Sequence, residues 1–150
     1  MVLTSHTLKY LLDYLTGQNT SAPAYLALST TAPTETGENV TEPSGGGYAR
    51  LLLGNGSSNR HFSPASYDAE TGYASTANID ELHFNAATAS WGTIVGWAIY
   101  QNQTGGQPKA YGTFATSITV AVDNIATIRV GKFSITVDAD TLEITANVGQ

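Results

Sequence analysis

Cysteine is absent from the chain, which excludes structural disulfides, thiolate metal sites and a cysteine nucleophile. Positive charge is scarce. Lys9, Arg50, Arg60, Lys109, Arg129 and Lys132 are scattered among twelve acidic residues, for a net charge of −6. No basic stripe exists to neutralise phosphates, so nucleic acid is excluded as a partner. Long apolar runs are also missing: nothing approaches the roughly 18–20 residues of a membrane span. A basic segment followed by an apolar core and a small-residue cleavage site is not found at the N-terminus, so no ordinary secretion signal is expected. Charged residues make up only 12% of the chain, against about 25% in ordinary soluble domains. Thr, Ser, Asn and Gly fill the gap, a mixture common in β-rich proteins.

What remains is enough for one domain spanning residues 1–150. A chain of 150 residues buries roughly 68–70% of its unfolded surface and needs no disulfide or metal to fold. Its most informative stretch is 87–116, which holds both tryptophans, Trp91 and Trp97. From 93 to 101 the residues alternate, Val95, Trp97 and Ile99 on one face and Ile94, Gly96, Ala98 and Tyr100 on the other. That period of two marks a strand, and the face carrying Trp97 is expected to be the centre of the core. Gly105 and Gly106 supply turn chemistry, and a second strand resumes around Tyr111 and Phe114. Gly92 and Gly96 mark a bulge or a close backbone approach.

One helix is expected, over residues 4–16. Thr4 or Ser5 serves as N-cap, Leu8, Leu11, Leu12 and Leu15 form a stripe, and Gly17 stands at the stop position. A helix of about 13 residues is marginal alone, so the stripe must lie on the chain's own sheet or on a neighbouring subunit. Further strands are expected at 23–31, 48–53, 59–67, 77–84, 117–122, 125–137 and 142–148, with turns at 68–72, 123–124 and 138–140 and a bulge at Gly131. Between the first two lies a polar loop, 32–47, with two prolines, four glycines and three glutamates. Loops of this length without structure of their own are uncommon and often functional. One helix followed by many short strands predicts a mainly β fold, an antiparallel β-sandwich or jelly roll with one N-terminal α-helix.

Catalytic and metal motifs are not found. His6, His61 and His83 lack metal-ligand spacing. Asp138, Asp140 and Glu143 read as a charged turn, since an EF-hand needs ligands over twelve positions. Gly45, Gly46 and Gly47 lack the Lys-Ser/Thr of a phosphate cradle, and pairing Asp68, Glu70, Asp80 and Glu81 as glycosidase acids would be arbitrary. No catalytic residue, cofactor or metal is expected. Aromatic residues in or beside loops offer one alternative: Trp91, Tyr67 and Tyr73 are candidates for stacking on a host surface glycan, against the ordinary reading of aromatics as buried anchors.

Several segments together carry a family likeness. They are the strand Tyr-Leu-Ala-Leu-Ser at 25–29, Asn39-Val40-Thr41-Glu42-Pro43, Gly-Gly-Gly-Tyr-Ala-Arg at 45–50, Ala87-Thr88-Ala89-Ser90-Trp91-Gly92, and Gly-Lys-Phe-Ser-Ile-Thr-Val at 131–137. On these the chain resembles a family of small virion proteins of tailed bacteriophages, commonly labelled tail fibre or minor structural proteins. The resemblance implies a non-enzymatic virion component assembled in the bacterial host cytoplasm, in agreement with the missing signal. It leaves the location in the virion open. The small size of the chain, without the long repetitive shaft of a full fibre, points to a homo-oligomer docked on major capsid or tail proteins, as an accessory or decorating subunit. The alternative is a receptor-binding tail-fibre or tail-tip module recognising a host glycan. Residues expected to dock are Thr34, Glu35, Glu38, Asn39, Val40, Glu42, Pro43 and Tyr48 of the loop, with Leu8, Leu11 and Leu15 of the helix.

Overall fold

The leucine stripe of the N-terminal segment folds as predicted, into helix α1 (Ser5–Thr16). In this computed structural model, which describes residues 2–18, 22–56, 60–141 and 143–148, Thr4 is the N-cap and its hydroxyl accepts from the Thr7 amide at 3.3 Å. Removing such a cap costs about 1 kcal/mol. Thr4→Ala is therefore expected to lower stability by that amount in urea unfolding, with the slope unchanged. At the other end Gly17 takes φ +74, and its missing Cβ leaves room for the Gly54 carbonyl, which any side chain would strike. Only glycine meets both demands.

Ten strands follow among the described residues: β1 (Ala24–Ser29), β2 (Leu51–Gly54), β3 (Ser66–Asp68), β4 (Tyr73–Ala77), β5 (Leu82–His83), β6 (Gly92–Tyr100), β7 (Pro108–Val120), β8 (Thr127–Ile128), β9 (Phe133–Asp138) and β10 (Ile144–Val148). They form two four-stranded sheets, ordered β2-β1-β6-β7 and β10-β9-β4-β3, and a small pair β5-β8. Every pairing is antiparallel. The two sheets meet through aromatic side chains, with the Trp97 and Phe133 ring centroids 6.2 Å apart. Ile94, Trp97 and Ile99 from the first sheet and Ala74, Phe133, Ile135 and Val137 from the second share one core with Leu8, Leu12 and Phe62. Each large side chain buried there contributes roughly 1.5–3 kcal/mol. The mainly β, sandwich-like architecture with one helix is the one the sequence predicts.

Several local expectations are corrected. Val95 is half-buried, and Ile94 joins Trp97 and Ile99 in the core instead. The register shows why: Ile94 pairs with Ile118 but Gly96 with Thr113, so Phe114, Ala115, Thr116 and Ser117 bulge opposite Val95 and break the alternation. The expected strands around 109–116 and 117–122 are thus one long β7. The other face of β6 is also covered, Ala98 and Tyr100 packing with Ala27 and the loop residue Val40. Gly96 permits this, because a Cβ there would strike the Pro33 ring of that loop.

The strand expected at 77–84 is replaced by β4, a turn and β5. Asn78, only 2% exposed, holds the turn by donating to the carbonyls of Asp80 (2.8 Å) and Arg129 (3.0 Å) and accepting from the Phe133 amide (2.9 Å). Gly131, at φ +77, forms the turn that divides β8 from β9 where a bulge was expected. Tyr48 and Arg50 lie outside β2, which starts at Leu51. Asn59 and Leu142, at the starts of two expected strands, fall outside the described residues.

Candidate functional site

The loop 30–47 is not slack chain. Its two arms are tied at the base, where the Thr30 amide donates to the Thr41 carbonyl at 2.9 Å and the Thr41 amide to the Ser29 hydroxyl at 3.0 Å. Further along, Arg50 fastens it to the rest of the fold. The Arg50 Nε and Nη2 donate to the two Glu42 oxygens at 3.0 and 2.8 Å. Its Nη1 donates to the carbonyls of Asn102 (2.9 Å) and Gly105 (2.8 Å) in the β6–β7 turn. The guanidinium also lies 3.6 Å over the Tyr100 ring, a favourable cation–π geometry. Tyr48 completes the knot, donating to Glu42 at 2.7 Å and accepting from the Leu28 amide at 3.0 Å. Burial, then the bond to Glu42, pushes the Tyr48 phenol above its ordinary pKa, so it stays a donor.

One cation thereby fixes two polar loops against the outer face of the first sheet. A second does the same for the helix: Lys109, at the start of β7, donates to the carbonyls of Tyr14 (2.7 Å) and Pro23 (2.9 Å) and lies 4.2 Å over the Tyr14 ring. Burial lowers its pKa to about 8. Neither role was legible in the sequence, whose only signal was how few cations a charge-poor chain retains.

The docking candidates separate in the structure. Thr34, Glu35, Glu38 and Asn39 are exposed; Val40, Glu42, Pro43 and Tyr48 are half-buried. Leu8 lies wholly inside the chain's own core and offers no surface. Leu11 and Leu15 are half-buried. Leu15 and Glu35, distant in sequence, line one groove of about 510 Å³ with Thr36, Lys109, Tyr111 and Ile144.

Of the glycan candidates, Trp91 is 4% exposed. Its indole N–H donates to the Gly46 carbonyl at 2.8 Å, and its ring meets Tyr48 edge-on at 5.3 Å. It is a core anchor with no face for a sugar. Tyr67 and Tyr73 are exposed on β3 and β4. Two of the three histidines sit in separate pairs, His61 with Asp80 at 3.1 Å and His83 with Glu81 at 3.2 Å. Among the described residues no group of three His, Asp or Glu is placed to hold a metal.

A family model described as podophage GP4 fiber I protein gp80 matches residues 3–136. The chain belongs to this fibre family. That match runs from the helix through the Arg50 knot to Thr136 in β9, and it agrees with the tailed-phage resemblance carried by residues 25–50, 87–92 and 131–137. As a member of the podophage fiber I family the chain is a virion structural protein. No curated protein matches it.

Proposed function

We propose that the chain is a non-enzymatic subunit of the podophage fibre that docks on other virion proteins and on copies of itself at the end of the sandwich beside the 30–47 loop. The observation that carries this reading is the groove shared by Leu15, Glu35, Thr36, Tyr111 and Ile144. It joins helix, loop and both sheets, and it combines apolar side chains with one carboxylate, Glu35, and one ammonium, Lys109. Such a mixture suits a wet, specific protein interface. The preformed loop strengthens it, since a segment already ordered loses less entropy on docking. A fibre family favours attachment at the tail over a place on the capsid lattice.

Incorporation tests the reading. Glu35 and Glu38 are exposed, so the double variant Glu35→Lys/Glu38→Lys is expected to stay within about 0.5 kcal/mol of the parent in stability. Purified virions made with it should carry about tenfold less of this protein, the equivalent of ~1.4 kcal/mol of lost docking. Normal incorporation of a stably folded variant would overturn the proposed surface. Cryo-electron microscopy of the parent virion should show this domain at the tail, and sedimentation of the purified chain should show an oligomer.

A further inference from the structure

We propose that the outer face of the second sheet, centred on Tyr73, is a binding site for a neutral pyranose glycan, at a surface separate from the docking groove. Strand register brings the parts together. Across β3, β4 and β9, Asp68, Tyr73 and Asp138 stand directly opposite one another. In the neighbouring row Ser66, Ser75, Thr136 and Thr145 are in register across all four strands. Opposite side chains on one sheet face lie roughly 5 Å apart, so one aromatic ring sits between two carboxylates and beside a line of hydroxyls.

Tyr73 lies outside the core. The inward residues of these strands, Ala74, Ile135 and Val137, fill the core, while Tyr73 is 45% exposed. Its ring separates two shallow depressions. One, of about 280 Å³, is lined by Thr136, Asp138, Glu143 and Thr145. The other, of about 360 Å³, is lined by Ser66, Tyr67, Asp68, Thr71 and Ser75.

The chemistry of the lining selects the ligand. Ionised carboxylates only accept hydrogen bonds, and neither depression is lined by a lysine or arginine. The ligand must therefore supply donors and carry no negative charge, which rules out phosphate, sulfate and acidic sugars. It must also present an apolar face to an exposed ring. A pyranose has both, with vicinal hydroxyls at its edge and axial C–H groups on its face. Two of the carboxylates are already oriented: Asp68 accepts from the Glu70 amide at 2.9 Å and Asp138 from the Asp140 amide at 2.8 Å. Preorganised acceptors lose less on binding.

The test is an array of neutral and acidic glycans probed with the full chain, followed by saturation-transfer NMR titration of the methyl glycosides of glucose, galactose and mannose. Neutral glycans should bind. Tyr73→Ala and Asp138→Asn should each weaken binding about tenfold or more, while Tyr73→Phe, which keeps the ring, should stay within about threefold. Thr145→Arg, on an exposed β10 position, should block the 280 Å³ depression without touching the core; it gives an independent reading if Tyr73→Ala proves unstable. The proposal is overturned if no neutral glycan binds, if binding survives both Tyr73→Ala and Thr145→Arg, or if acidic glycans or cationic peptides are the ligands that respond to these changes.

Discussion

Replacing Arg50 with alanine is expected to lower the unfolding free energy by about 3–5 kcal/mol, the range for removing one partner of a buried ion pair. Burial decides the size. An exposed pair would contribute about 0–1 kcal/mol, but the Arg50 and Glu42 side chains are only 5% and 25% exposed. Alanine at 50 leaves Glu42 without its bidentate partner and the Asn102 and Gly105 carbonyls without their donor. It also uncovers the Tyr100 ring. Arg50→Lys should recover only part of the loss, because an ammonium cannot reproduce the planar fork or the stacking. Urea unfolding of these variants, and of Arg50→Met, Glu42→Leu and the double variant Arg50→Met/Glu42→Leu, forms the check, with the double variant losing less than the sum of its two component singles. A loss below about 1 kcal/mol for Arg50→Ala would mean that the pair behaves as an exposed one. The functional consequence follows from place: with the knot cut, loop 30–47 and the β6–β7 turn lose their common anchor, and docking should weaken with stability.

Trp91→Ala is expected to cost a similar amount, about 3–5 kcal/mol, from the cavity left by a large buried ring. The indole packs edge-on against Tyr48 at 5.3 Å and against Phe84 at 6.2 Å. Its N–H is also the donor to Gly46, where the chain leaves the loop with φ +61. Trp91→Phe should lose less, since much of the ring volume remains and the main deficit is the hydrogen bond to the half-buried Gly46, about 1 kcal/mol. Thermal and urea unfolding followed by fluorescence would measure both. A Trp91→Ala protein as stable as the parent would contradict the buried-anchor role and return Trp91 to the sugar-binding candidates. As the structure stands, any sugar-binding defect in that variant would report misfolding, whereas Tyr73 is exposed and can be changed without opening the core.

Local patterning was enough to read the helix with its cap and stop, the β6–β7 hairpin and the turns at 68–72 and 123–124. Each depends on residues close in sequence: Thr4 before the leucine stripe, Gly17 after it, alternation through Trp97, and Asp123-Asn124 at a tight corner. Strands with weak alternation were not legible. β4, Tyr-Ala-Ser-Thr-Ala, carries small residues that show no period until Ala74 is pressed into the core. The bulge opposite Val95 was hidden for a different reason, since an alternating run gives no sign of how many residues its partner strand contributes.

For the sites the division is sharper. Sequence alone determined a charge-poor, cysteine-free, mainly β fold with an N-terminal helix and a phage-fibre likeness, and it marked the long polar loop and the aromatics Trp91, Tyr67 and Tyr73 as surfaces of interest. Tertiary structure decided which of those residues are surface at all. It placed Leu8 and Trp91 in the core, set Leu15 beside Glu35, and aligned Asp68, Tyr73 and Asp138 across three strands. The reason is physical: capping, turns and periodicity act over a few residues, whereas burial, the pairing of Arg50 with Glu42, and strand register depend on partners brought together only when the chain closes on itself.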